Sequence, residues 1–207
     1  MLRKLCFILA GAALLTAPLL KSNTAKASPD MQTITLNTGY DHSQQKAYTV
    51  GPADSFWTLI QDPSSSTAEP RPANTINRHP AWSAVQGASQ WISFSPTGSG
   101  PGLLKGTYVY QKCFCLTKAL WENPEAISQS SLNVSVRADD AFYLGLNTMP
   151  DPSLNASYLL TNMTGGGGGY TGPAASLSVK GEKLLPLLQP GRNCLNVRVE
   201  DMGEVIT

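Results

Sequence analysis

Few side chains in this 207-residue chain could do chemistry. Its two histidines, His42 and His79, both lie among turn-forming residues. A hydrolase needs a nucleophile, a base and an orienting group within reach of one another. Neither Gly-x-Ser-x-Gly nor His-Glu-x-x-His occurs, so no activated serine or zinc-bound water is signalled. Asp139 and Asp140 form an acidic pair, but adjacent strand residues point to opposite faces, whereas glycosidase carboxylates must face each other across the scissile bond. The pair reads better as the polar end of a strand, accepting backbone N–H bonds in a turn. The chain is therefore read as non-catalytic.

Binding chemistry is better represented. An indole face can pack against the C–H face of a sugar ring, and Trp57, Trp82, Trp91 and Trp121 supply four. Trp57 and Trp91 have apolar neighbours and are expected in the core, where aromatics dominate packing. Trp82 follows Pro80-Ala81 and Trp121 precedes Glu122-Asn123-Pro124, loop-like settings of the kind that carry function. These two are the candidate platforms, with Asp139, Asp140 and Asn147 as candidate polar partners. The same oxygens suit a structural calcium ion, and no other cofactor is expected.

Thiols are the remaining reactive groups. Cys113, Cys115 and Cys194 lie beyond the N-terminal segment, and with no histidine nearby they offer too few ligands for a zinc site. Alternation places Tyr108, Tyr110, Phe114 and Leu116 on one face of a strand and Cys113 and Cys115 on the other. In the last strand Leu195, Val197 and Val199 oppose Cys194. All three sulfurs then share one side of the sheet. Antiparallel pairing would set the end of the first strand beside the start of the last, which predicts a Cys115–Cys194 disulfide and leaves Cys113 unpaired.

The elements that must position these residues are strands. Leu132–Asp140 and Gly191–Glu200 alternate apolar with polar side chains, the pattern of half-buried strands. Thr107–Leu116 reads as a long strand, and Thr33–Leu36 and Trp91–Phe94 as short ones. The composition, with 18 Gly, 15 Pro and 14% charged residues, suits many short strands joined by turns and little helix. Pro63–Pro72 reads as an exposed loop. The run Gly165–Gly169 is no phosphate loop, since Tyr170-Thr171-Gly172-Pro173 follows in place of Lys-Ser/Thr and a helix. The fold class expected is all-β, an antiparallel β-sandwich.

Arg3 and Lys4 precede an apolar run from Cys6 to Leu20, and Ala25-Lys26-Ala27 offers a small-x-small cleavage site. Residues 1–27 read as a signal peptide and 28–207 as one domain, secreted or at the cell surface, with the periplasm as another destination. No second apolar run follows, so no transmembrane segment is expected after cleavage. Of 15 Lys and Arg residues, Arg3, Lys4, Lys21 and Lys26 lie in the leader, which leaves 11 against 14 Asp and Glu, or about −3 net. That balance argues against nucleic acid as a partner, which would need a basic stripe.

Asn37-Thr38-Gly39, Asp54, Trp57, Pro80-Ala81-Trp82, Gln90-Trp91-Ile92, Gly106–Tyr110 with Phe114, Ala138-Asp139-Asp140, and Gly191-Arg192-Asn193 with Leu195 and Val199 occur in that order. The order resembles the galactose-binding-domain-like jelly-roll modules of secreted bacterial proteins, particularly PEP-CTERM-sorted surface proteins, although no sorting tail occurs here. The resemblance implies a surface or extracellular-matrix module whose partner is a glycan or extracellular polymer. A structural or adhesive envelope domain that contacts other envelope proteins is the alternative. Members of that family continue beyond the final strand seen here with one more. Val197–Glu200, the turn at Gly203 and Val205-Ile206-Thr207 are accordingly expected to lack their last strand.

Overall fold

The computed structural model describes residues 34–63, 70–84, 87–97, 104–154, 158–161 and 172–201. The leader, the glycine run and the residues after Asp201 lie outside these. The described fold is all-β and mostly antiparallel. Seven strands form the main sheet in the order β5 (Ile92–Ser93), β4 (Arg71–Thr75), β3 (Ala53–Gln61), β6 (Gly106–Cys115), β11 (Arg192–Asp201), β8 (Ala141–Leu146) and β9 (Leu160–Thr161). A separate ladder pairs β7 (Ser131–Val136) with β10 (Ala175–Lys180), and β1 (Tyr40–Asp41) pairs with β2 (Lys46–Ala47).

Alternation explains how the β7–β10 ladder docks. Its serines and Asn133 face solvent, while Leu132, Val134, Val136 and Val179 turn toward buried Phe142, Leu144, Leu146 and Leu195 of the main sheet. A second core cluster of Trp57, Leu59, Ala73, Tyr108 and Tyr110 lies on β3, β4 and β6. In β3, Asp54, Trp57 and Leu59 are all buried, although 54 and 57 should oppose each other on a regular strand. A register shift between Asp54 and Thr58 resolves the conflict: four steps on β3 are matched by one on β4, and an odd excess reverses the parity of everything before it.

Two short helices follow β6: α1 (Lys118–Trp121) and α2 (Pro124–Gln129). Thr117 caps α1 by accepting from the Leu120 amide, and Asn123 caps α2 by accepting from Ala126 with Pro124 in the first turn. Their apolar residues bury Leu116, Leu120, Ala126 and Ile127 together.

Several sequence expectations are corrected. Cys194 bonds to Cys113, not Cys115. The β6–β11 register sets Cys194 directly opposite Cys113, with Cα atoms 4.0 Å apart, and puts Arg192 opposite Cys115. The three sulfurs do share a face, so the discrepancy is one of register alone. Residues 34–37 form no strand. The Asn37 carbonyl is taken up instead by the Trp57 indole N–H and the Lys112 ammonium. Pro72, expected in a loop, sits in β4 opposite Thr58. The two asparagines of β11 are buried on opposite faces, Asn193 on the side of Leu195 and Asn196 on the side of Cys194, and they are satisfied by Gln189, Gly191, Gln111 and Thr148.

Candidate ligand-binding cleft

Two segments far apart in sequence meet at one end of the main sheet. After β7, residues Arg137–Asp140 bend into β8, whose first residue Ala141 pairs with Glu200, so Asp139 and Asp140 arrive where β11 ends. The other segment leaves β4 and returns to β5. It is folded locally by the Trp82 amide donating to the His79 carbonyl (3.0 Å), Ala81 N donating to His79 Nδ1 (3.2 Å) and Arg78 donating to the Trp82 carbonyl (2.9 Å). Trp91 O accepts from Ile76 N, and Gln90 N donates to Thr38 O, which fixes the return path. Gly39 completes that turn at φ 57°, where a Cβ would lie 2.5 Å from the Gln90 Cβ, so only glycine fits. Arg137 joins the two segments by donating to the Ala84 carbonyl.

Trp82 is thereby brought against Trp91, ring centroids 4.6 Å apart and inclined by 41°, with the His79 ring 5.8 Å from that of Trp82. All these rings except His79 line a cleft of about 660 Å³, together with Arg137, Asp139 and Asp140. Its floor is the apolar face of β6 and β11, and the β7 side chains line it too. The cleft deepens with a gradient. Leu195 is fully buried, whereas Val197 and Val199, further toward the mouth, are only half-buried.

The mouth holds polar groups that the protein leaves unsatisfied. Trp82 Nε1, Trp91 Nε1 and Arg137 Nε are buried atoms without a hydrogen-bond partner, unusual in a folded protein. Asp139 is exposed as a residue, yet its carboxyl is pushed up to about 6, first by desolvation and then by the charge of Asp140. The Trp82 indole facing it lowers the value without closing a well-formed hydrogen bond. The arrangement thus offers two indole faces, three donors and a carboxyl whose charge changes near pH 6.

The structure brings together three of the five candidates, Trp82, Asp139 and Asp140. Trp121 packs in the α1–α2 cluster instead. Asn147 is committed to the fold: its amide donates to the Leu187 carbonyl and Asn193 Oδ1, and its oxygen accepts from Cys194 N. Asp140 and Asn147 flank opposite ends of six-residue β8, about 23 Å apart at roughly 3.3 Å per residue. They cannot share one calcium ion or one sugar ring. Among the described residues no group of three or more His, Cys, Asp or Glu could hold a metal ion. Trp57, 4% exposed, sits in the core, Trp91 is half-buried, and both line the cleft.

Sequence reasoning also passed over Lys112. Its position in Tyr108-Tyr110-Lys112-Phe114 puts a cation on an apolar face, a signal that was readable. Lys112 is buried beside the Phe56 and Trp57 rings, its Nζ 2.8 Å from His42 Nε2 and 3.4 Å from the Asn37 carbonyl. Desolvation brings its pKa down to about 8, with the charge of Asp54 acting the other way. Asp54, wholly buried, accepts from the amides of Gly39 (2.6 Å), Phe56 (2.9 Å) and Trp57 (3.2 Å). Together Asp54 and Lys112 pin the 37–42 turn onto the sheet, a structural task. Comparison with known proteins finds no matching family model, no matching curated protein and no matching solved structure.

Proposed function

We propose that this chain is an exported, non-catalytic β-sandwich module of the jelly-roll type, similar to galactose-binding-domain-like modules, that binds carbohydrate in the cleft at Trp82 and Asp139. The observation that carries this reading is the mouth itself: two mutually tilted indoles with three buried donors lacking well-formed protein partners beside a carboxyl acceptor. A sugar presents C–H faces to the rings and hydroxyls that both donate and accept. Aromatic packing with a few placed polar groups is what a small-molecule site requires. What supports the non-catalytic reading is that His42 is engaged by Lys112 and His79 by the Ala81 amide.

A glycan array with the 28–207 chain tests the proposal. Binding should be lost in Trp82→Ala, weakened in Asp139→Asn and unchanged in Trp121→Ala. A blank array from well-folded protein would refute it. Exposed Met149 and Leu154, 49% and 58% accessible, favour the adhesive alternative, in which these side chains contact other envelope proteins.

A further inference from the structure

We infer that the cleft takes an amphiphile, with a neutral polyhydroxylated head held at the Trp82–Asp139 mouth and an apolar tail lying between the β7–β10 ladder and the main sheet. The inference rests on the carbohydrate reading of the mouth and adds what lies behind it. Behind the mouth the walls change character. Leu132, Val134 and Val136 of β7 line one side, and Val197 and Val199 of β11 lie on the floor. In a closed core such residues are nearly inaccessible, as Leu144 and Leu195 are at 1% and 2%. Here all five pack against the Phe142–Leu195 cluster yet remain half-buried, so an aliphatic surface stays open to the cleft.

Volume and chemistry point the same way. About 660 Å³ lies well above the roughly 300 Å³ at the low end of small-molecule sites, so a sugar ring held at the mouth leaves the aliphatic depth unfilled. A bare hydrocarbon would fill the depth but leave the Trp82, Trp91 and Arg137 donors unpaired. Only a ligand with both parts satisfies both regions. Asp139, Asp140 and Asp201 outnumber Arg137, the cation of the mouth, among the lining residues, which favours a neutral head over a phosphate or carboxylate.

The test is a chain-length series of methyl, butyl, hexyl and octyl β-glycosides with gluco, galacto and manno heads, plus 1-octanol. Each is titrated below its critical micelle concentration against the intact chain and followed by tryptophan fluorescence. Each buried methylene should tighten binding about fourfold, so the octyl compound of a recognised head should bind at least about a hundredfold more tightly than the methyl one. Val134→Trp, which fills the depth, should erase the gain, so that octyl and methyl glycosides of the same head bind the variant equally. Equal affinities along the series, or a folded Val134→Trp protein that keeps the gain, overturn the inference and leave the sugar site standing. Octanol binding as tightly as octyl glycosides, or no binding by any of the series, overturns both.

Discussion

Replacing Lys112 with Met tests whether a buried cation is held on the apolar face of β6. Burial takes the Lys112 ammonium from 10.5 to about 8, against the weaker pull of Asp54. The folded-state pKa lies below the unfolded one, so between about pH 8 and 10.5 the unfolded chain binds the extra proton and the folded state gains stability as pH rises. At about 1.4 kcal/mol per pH unit the whole interval corresponds to about 3 kcal/mol. The hydrogen bonds of Nζ are only part-buried, so solvent screens the cost and about 2 kcal/mol is the expected gain. Methionine keeps the length and flexibility of the side chain without its charge. The Asn37 carbonyl keeps the Trp57 indole as a donor in the variant. Tyr110 and Tyr108, both raised by burial, work in the opposite direction from about pH 10 upward. Urea denaturation of both proteins at pH 7, 8, 9 and 10, read as the difference between them, isolates the lysine. The wild type should gain on Lys112→Met by more than about 1 kcal/mol between pH 8 and pH 10. A difference that stays flat over that range would falsify the burial of the ammonium.

Three further outcomes follow from the same geometry. Non-reducing peptide mapping should link Cys194 to Cys113, and Cys194→Ala should cost about 4.5 kcal/mol in the chain-entropy model, since the bridge spans 81 residues; recovery of a Cys115–Cys194 peptide would show the β6–β11 register to be wrong. Asp54→Ala leaves the buried Gly39 and Trp57 amides without an acceptor and should lower stability by about 2 to 6 kcal/mol, at roughly 1 to 3 for each, in chemical denaturation, with a loss under about 1 kcal/mol counting against the three-amide arrangement. Asp139, whose folded-state pKa is raised to about 6, holds its proton more tightly when folded, so its contribution to stability is present below pH 3.8 and is lost as pH rises through about 6. The carboxyl resonance of Asp139 in an NMR titration should move with a midpoint near pH 6, and a midpoint near 4 would contradict the assigned environment.

Local alternation of side chains is a property of the sequence alone, because a strand's side-chain period is two wherever the strand goes. It therefore settled that β6, β7 and β11 are strands, that the chain is all-β, and that Cys113, Cys115 and Cys194 lie on one side of a sheet. It could not settle which cysteine bonds. Moving β11 against β6 by two residues exchanges Cys113 for Cys115 while every side chain keeps its face, so the choice belongs to the register that the packed sheet adopts. β8 was invisible to the same reasoning, since Ala141–Leu146 is buried along its whole length and does not alternate. The burial of Asn193 and Asn196 lay beyond the same reasoning, because burial of a central strand depends on what covers it. Trp82, Asp139 and Asp140 could be named as candidates from their local settings. Their meeting with Trp91 and Arg137 in one cleft is a contact across some fifty residues of chain, and only the tertiary fold, closing those loops at the end of β11, decides it.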